Sequence, residues 1–233
     1  DYEAVMPLPW RSKLGLKYIY TPFFSNPLGI FNRSRNNISV DEFLSSIPGQ
    51  FRLRDLNLLL TDSIPPERTD VKPRKNHVLS LNRPLEELRS NYRASYRQIL
   101  QKSKNFHEVK IDIPLKEVLE IAKHEDKSGT LDRDDFRIFE ELYGTVKSEA
   151  EVRTYGVYDK NHQLLASGVF FIFLNRVYYV LAGNSVHGRH TGASHVVIDA
   201  IIREFAGRDM ILDFEGSDIP GIAFFFEGFG AKP

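Results

Sequence analysis

Two acidic residues, Asp213 and Glu215, alternate with Phe214 at the end of an apolar strand, downstream of a loop of glycines and imidazoles, His187-Gly188-Arg189-His190-Thr191-Gly192-Ala193. Alternation puts both carboxylates on one strand face, provided Leu212 and Phe214 turn toward core helices. There they could take a proton from a nucleophile or bind an ammonium group. They could equally cap the helix that begins at Ile219 and fix the loop before it. Ser217 and Tyr179 are next in line. Upstream, Gly188 and Gly192 would let the backbone approach an anion, and the helix after Gly192 would offer N–H groups and a partial positive charge, the layout of a phosphate site. The spacing is neither that of a P-loop nor that of a G-x-G-x-x-G turn.

Other chemistries find less support. His187, His190 and His195 crowd one region, but His-x-x-His without a nearby acidic ligand is poor metal chemistry, so no metal is expected. His124 to Asp135 has the length and central glycine of a calcium loop, yet lacks the terminal Asp and Glu such a loop needs. A helix-turn-helix connection fits that stretch better. No G-x-S-x-G is present, so no nucleophile elbow is expected. Arg89, Arg93 and Arg97 form a basic stripe that could meet a tRNA or an acidic substrate, or lie on a solvated face paired with Glu86 and Glu87.

Composition sets the bounds. The 233 residues, 42% of them apolar, suffice for one large domain or two modest ones. Basic and acidic residues cancel at 31 each, so no overall field draws the chain to DNA or to an anionic membrane. The absence of cysteine excludes disulfides and thiolate chemistry and fits a reducing compartment, the cytoplasm by default. No apolar run reaches the roughly 20 residues of a spanning helix. Asp1-Tyr2-Glu3 carries no initiator methionine and no signal-peptide pattern, which predicts a start inside a longer product.

The elements that must position these residues follow from periodicity. Short strands broken by prolines occupy Tyr2 to Phe31, a helix capped by Ser39 covers Val40 to Ser46, and a strand covers Phe51 to Leu60. Thr61 to Lys75, with three prolines, reads as a linker and divides the chain into domains at 1–72 and 73–233. A strand at His77–Leu81 precedes one long helix from Leu85 to about Lys104. Further helices are expected at Leu115–Ala122 and Asp132–Val146, and a small strand at Val109–Ile113. Strands at Val152–Tyr158, Leu164–Leu174 and Arg176–Leu181 form an antiparallel meander. An amphipathic helix after Gly192, with an exposed Asp199/Arg203 pair, leads to a strand at Met210–Phe214 that pairs parallel.

A meander closed by one parallel β-α-β crossover resembles the GNAT acyltransferase fold, and more closely its Fem-like branch, in which two such domains stand in tandem. The most specific segment is Asp213-Phe214-Glu215-Gly216-Ser217, followed by Pro220-Gly221-Ile222 and the closing Phe226 to Gly230. Ser90-Asn91-Tyr92-Arg93 with Arg97, and Asn26 to Phe31, are similar to more weakly marked parts of the family. The resemblance implies an α/β (α+β) fold with a GNAT-like mixed sheet flanked by helices. It implies a partial first domain, and a second complete except for its last strands, both ends being truncated relative to the family.

It further implies acyl-group transfer from acetyl-CoA or another acyl-CoA to a small-molecule or peptide amine. The splayed strand end, with Leu181, Ala182 and Gly183, would hold the amide arm of the donor. Gly188, Arg189, Gly192, Ala193 and Ser194 would receive the pyrophosphate. Asp213, Glu215, Tyr179 and Ser217 would serve the chemistry, with the acceptor in a cleft against the first domain. Replacing Gly192 is expected to abolish donor binding with the fold intact. Two alternatives stay open: transfer from aminoacyl-tRNA, whose users carry a lysine where Phe225-Phe226-Glu227 stands here, and a binding module that has lost its chemistry.

Overall fold

Short strands build the first unit, Asp1–Pro73, and a long apolar meander builds the second, Arg74–Pro233. The computed structural model describes residues 2–24, 28–33, 39–58, 72–104, 107–125, 133–216 and 218–233. Most of the expected linker, and residues 126–132 of the stretch weighed as a calcium loop, lie outside them.

The first unit contains β1 (Ala4–Val5), β2 (Trp10–Lys13), β3 (Leu16–Tyr20), β4 (Phe31–Asn32), α1 (Val40–Ser45) and β5 (Phe51–Asp55). β1 pairs with β4, and β3 lies between antiparallel β2 and parallel β5, so α1 is a β-α-β crossover. Ser39 stands at the N-cap, but its hydroxyl makes no capping hydrogen bond; Asp41 and Glu42 in the first turn complement the helix dipole instead. At the other end Arg54 donates to the carbonyls of Leu44 (3.2 Å) and Ile47 (3.4 Å), partners the closing helix lacks.

The second unit contains β6 (Val78–Ser80), α2 (Leu85–Ser90), α3 (Ala94–Ser103), β7 (Glu108–Ile111), α4 (Leu115–Glu125) and α5 (Arg133–Glu149). β8 (Glu151–Tyr158), β9 (Leu164–Phe173), β10 (Arg176–Asn184), α6 (Val186–Thr191), α7 (Ala193–Phe205), β11 (Ile211–Asp213) and α8 (Pro220–Glu227) complete it. Its six-stranded sheet has the order β6-β11-β10-β9-β8-β7, antiparallel except for the β10/β11 pair. This is the mixed sheet that the meander and crossover predict.

β9 is buried along almost its whole length, because helices cover both faces of the sheet. On one face Ile121 and Ala122 of α4 meet Gly183, and Phe139 of α5 stacks on Phe171 with ring centroids 6.2 Å apart. On the other, Val197 of α7 meets Gly168, and α7 buries Val197, Ile198, Ile201, Ile202 and Phe205 almost completely. Each such side chain contributes roughly 1.5–3 kcal/mol of burial.

Four expectations are corrected. The single long helix is two helices, broken at Asn91–Arg93. There Ser90 and Asn91 donate their side chains to the Glu87 carbonyl, and Arg93 gives its amide to Gly228 at 2.9 Å, so helical bonding cannot continue. The arginine stripe is tied down by contacts within its own unit. Arg89 forks onto Asp199, Arg93 stacks on Phe224 while donating to its carbonyl (2.6 Å), and Arg97 caps the broken helix end at Tyr92 and Ser90. Asp199 is therefore buried at 7% exposure, where Tyr92 also donates to it (3.3 Å), and is no surface partner of Arg203.

The fourth concerns the glycine loop, which is mostly helix. α6 spans Val186–Thr191, with Ser185 capping it by accepting the Gly188 amide, and Gly192 (φ +74°) makes the left-handed kink into α7. A Cβ on Gly188 would overlap the Leu165 carbonyl oxygen, which already accepts the Ser185 amide at 2.8 Å.

Asp199→Ala should lower stability by about 2 kcal/mol, a discounted value because Arg89 can still reach water, as read from the urea midpoint. Gly188→Ala should cost about 2–3 kcal/mol, since the atom it meets is pinned backbone; a melting temperature equal to that of the parent would contradict this packing.

Candidate functional site

Parallel strands end on the same edge of a sheet, so the C-terminal ends of β10 and β11 bring two loops together there. Their pairing runs only from Arg176/Ile211 to Tyr178/Asp213, and a register shift between Tyr179 and Leu181 bends β10 away. From Tyr179 to Asn184 the β11-facing edge of β10 has no strand partner among the described residues. The two strands thus splay apart.

Asp213 sits at the fork with 3% exposure and is fully engaged. Arg176 donates to its Oδ2 at 2.5 Å, Asn76 Nδ2 to its Oδ1 at 3.0 Å, and the Glu215 amide to the same Oδ1 at 2.9 Å. The Asp213 carboxylate is directed to Arg176, Asn76 and the Glu215 amide, and the N-cap position of α8 is held by Ile219, whose apolar side chain supplies no cap. Leu212 and Phe214 are buried in the core, as the alternation requires.

Glu215 behaves differently. It lies beyond the strand in a left-handed conformation (φ +59°), partly buried, and its carboxyl has no hydrogen bond or ion pair among the described residues. Burial above all, then the negative charge of Asp213, pushes it from the ordinary 4.5 up to about 8, against the opposing pull of Arg176.

The tyrosine near this carboxyl is Tyr178. Tyr178 pairs with Asp213 on one side and with Phe171 on the other, so it shares the face on which α5 packs. Its hydroxyl is raised by burial, opposed by Arg176 and reinforced by Asp213 and Glu215. Tyr179, expected beside the carboxylates, points to the opposite face. There it stacks on Phe170 (4.7 Å, 12°) and meets Phe214 edge-on, its hydroxyl raised by burial. Strand parity alone separates the two tyrosines. Ser217 lies outside the described residues.

The residues expected to hold a donor differ in exposure. Leu181 is buried, Ala182 is exposed at the splayed edge, and Gly183 is packed under α4. Gly188 and Ala193 are buried in the protein's own packing, while Ser194 is partly buried. Gly192 presses against Ile99, so replacing it would strain the kink itself, and the expectation of an intact fold is corrected.

Arg189 and Gly192 line a cavity of about 360 Å³ at the α6–α7 kink, with Lys102, His107, His190 and His195. Arg189 also donates to the Asn184 carbonyl at 2.9 Å. His195 sits edge-on to Tyr96 and Phe225 at 4.3 and 4.9 Å, and burial pulls it down to about 4, so it is neutral at pH 7. His107 is lowered by burial and by His187, opposed by Asp159. Among the described residues no group of three or more His, Cys, Asp or Glu is arranged to hold a metal ion, and no helix is long and apolar enough to cross a membrane.

The sequence matches no protein-family profile and no curated protein. Solved structures do resemble it. FemX is similar over 100% of this chain and 82% of its own, at 13% identity and a TM-score of 0.65. L-PGS from Bacillus licheniformis is similar over 99% and 78%, at 11% identity and a TM-score of 0.56. A conserved protein of unknown function from Staphylococcus epidermidis is similar over 91% and 82%, at 14% identity and a TM-score of 0.54. These likenesses establish a shared fold of the Fem and GNAT-like kind.

Proposed function

We propose that this chain is an N-acyltransferase that moves an acyl group from an acyl-CoA thioester to an amine, with Glu215 as general base. The observation that carries the reading is the Glu215 carboxyl, without a hydrogen-bond or ion-pair partner among the described residues and pushed up to about 8 by burial at the splay of β10 and β11. A base titrating close to the working pH combines a populated carboxylate with useful basicity. Glu215 removes a proton from the attacking ammonium. The amine nitrogen then bonds to the thioester carbonyl carbon, the C–S bond breaks, and the thiolate recovers a proton from Glu215 or from Tyr178. No enzyme-bound acyl intermediate is invoked, since the chain has no cysteine.

The unpaired edge of β10 suits the amide-bearing arm of the donor, which can pair with it as an added strand does. The cationic cavity with Lys102 and Arg189 suits the donor phosphates. A reducing compartment, the cytoplasm, accords with such a donor and with a cysteine-free chain.

A second donor, aminoacyl-tRNA, is favoured by one observation: the likeness to FemX extends over both units rather than the acyltransferase-like unit alone. Against it stands Glu227, which faces His77 (3.5 Å) and Arg93 (3.6 Å) where the resemblance places a lysine in tRNA users. Acetyl-CoA should raise the melting temperature by an amount that grows with the logarithm of its concentration over Kd, whereas a tRNA donor would show instead as filter binding that weakens steeply between low and high salt.

Glu215→Gln should lower kcat by about 10²–10⁴-fold and remove the rise in rate through pH 8, measured by thiol release from acetyl-CoA with a panel of amines. Full turnover in this variant would refute the assignment. Stability carries its own signature. Because the folded value lies above the ordinary 4.5, the native state holds a proton that the unfolded chain releases, so Glu215 makes stability fall between pH 4.5 and 8, by up to ~1.4 kcal/mol per unit, and stay level above. Glu215→Gln, which mimics the protonated acid, should flatten that contribution in urea melts across this range.

A further inference from the structure

Glu215 and Gly216 are consecutive left-handed residues, at φ +59° and +77°, and the first has a side chain that disfavours such a conformation. What holds the turn is the Asp213 carboxylate, which accepts the Glu215 amide at 2.9 Å in the manner of an Asx turn. That carboxylate must in turn be fixed. Arg176 occupies one oxygen, and Asn76 donates to the oxygen that receives the Glu215 amide.

Asn76 belongs to the segment entering β6, which runs directly along the loop. The His77 carbonyl accepts the Phe214 amide at 3.0 Å, and the Lys75 carbonyl lies so close to Gly216 that a Cβ there would stand 2.9 Å away. The Lys75 amide and the Arg74 guanidinium both reach Asp218, at 3.3 and 3.7 Å, which ties the far side of the loop to the same segment. Asn76 Oδ1 is buried with no hydrogen-bond partner among the described residues. A position serving only to fill space would be better occupied by an apolar residue of that shape, since a buried unpaired carbonyl is unfavourable. A carboxylate there would set two acids against one oxygen. What the amide supplies is a neutral donor aimed at Asp213.

We propose that Asn76 is a positioning residue of the transfer site, fixing Asp213 so that its carboxylate holds Glu215 in the left-handed turn at the splay. The kinetic consequence rests on the acyl-transfer reading; the positioning itself does not. Glu215 faces Asp213 and Arg176 from β11 and β10, and Tyr178 from β10, so these are the charged and titratable groups against which its carboxyl is set.

The test uses the full chain with Asn76→Leu, which keeps the volume, and Asn76→Ala. The Glu215 carboxyl is followed by carbon NMR in protein labelled at glutamate, its signal identified by loss in Glu215→Gln. Both variants should move its midpoint from about 8 toward the ordinary 4.5 by at least about one unit, as the freed turn admits water. They should lower kcat about tenfold with the acetyl-CoA KM unchanged. An unchanged midpoint in either folded variant overturns the proposal. If neither folds, the Asn76 side-chain amide of the unaltered protein is read instead. Its nitrogen shift should follow the Glu215 titration, and a flat profile overturns the proposal equally. Full turnover by Glu215→Gln would remove the base assignment while leaving the Asn76 midpoints to decide the positioning.

Discussion

The ion pair between Arg176 and Asp213 is the point on which the second unit turns. It runs diagonally from Arg176, at the first paired position of β10, to Asp213, at the last paired position of β11, and so braces the short pairing up to the point where the strands part. With only three paired positions between these strands, backbone bonding alone leaves that fork weakly specified. A guanidinium partly open to water and a buried carboxylate make a better hinge pin than an apolar pair would. The carboxylate has acceptor capacity left over, and the Glu215 amide and Asn76 use it.

The two faces of the sheet then divide the labour. Under α7, α3 and α8 the packing is aromatic: Tyr92, Tyr96, His195, Phe225 and Phe229 meet edge to face, and Tyr179, Phe214 and Phe226 continue the cluster to the strands. Burial among these rings is what holds His195 neutral. On the opposite face Tyr178 and Asp213 stand at the edge of helix cover, where a titratable group can be half desolvated and still be reached. A carboxyl tuned by burial requires that boundary, neither core nor open surface.

The meander and its crossover were legible because period-two and period-3.6 patterns are local, and β8 to β11 obey them. The break at Asn91 was not, because what stops the helix is the Gly228 carbonyl, supplied from far along the chain. Nor was the inward turn of Arg89, whose partner Asp199 lies 110 residues away. The carboxylates could be singled out from their place at a strand end, but their different states could not. Asp213 is satisfied by Asn76, 137 residues distant, while Glu215 is carried past the strand end, with no partner among the described residues, by a turn no pattern announces. Strand parity places Tyr178, the pairing partner of Asp213, on the carboxylate's face and Tyr179 on the other.

The edge strand β6 is laced on both sides, to β11 and, through Val78, to Lys232, so the opening and closing stretches of the second unit are neighbours in the sheet. During synthesis from the N-terminus, β6 leaves the ribosome with neither neighbour yet made. The meander can assemble early from local hairpins, but the loop that carries Glu215 acquires its support only when the two ends of the unit meet. Closure is therefore a contact of high sequence separation, and a nascent or clipped chain with an intact meander would still lack the support of the loop at the fork.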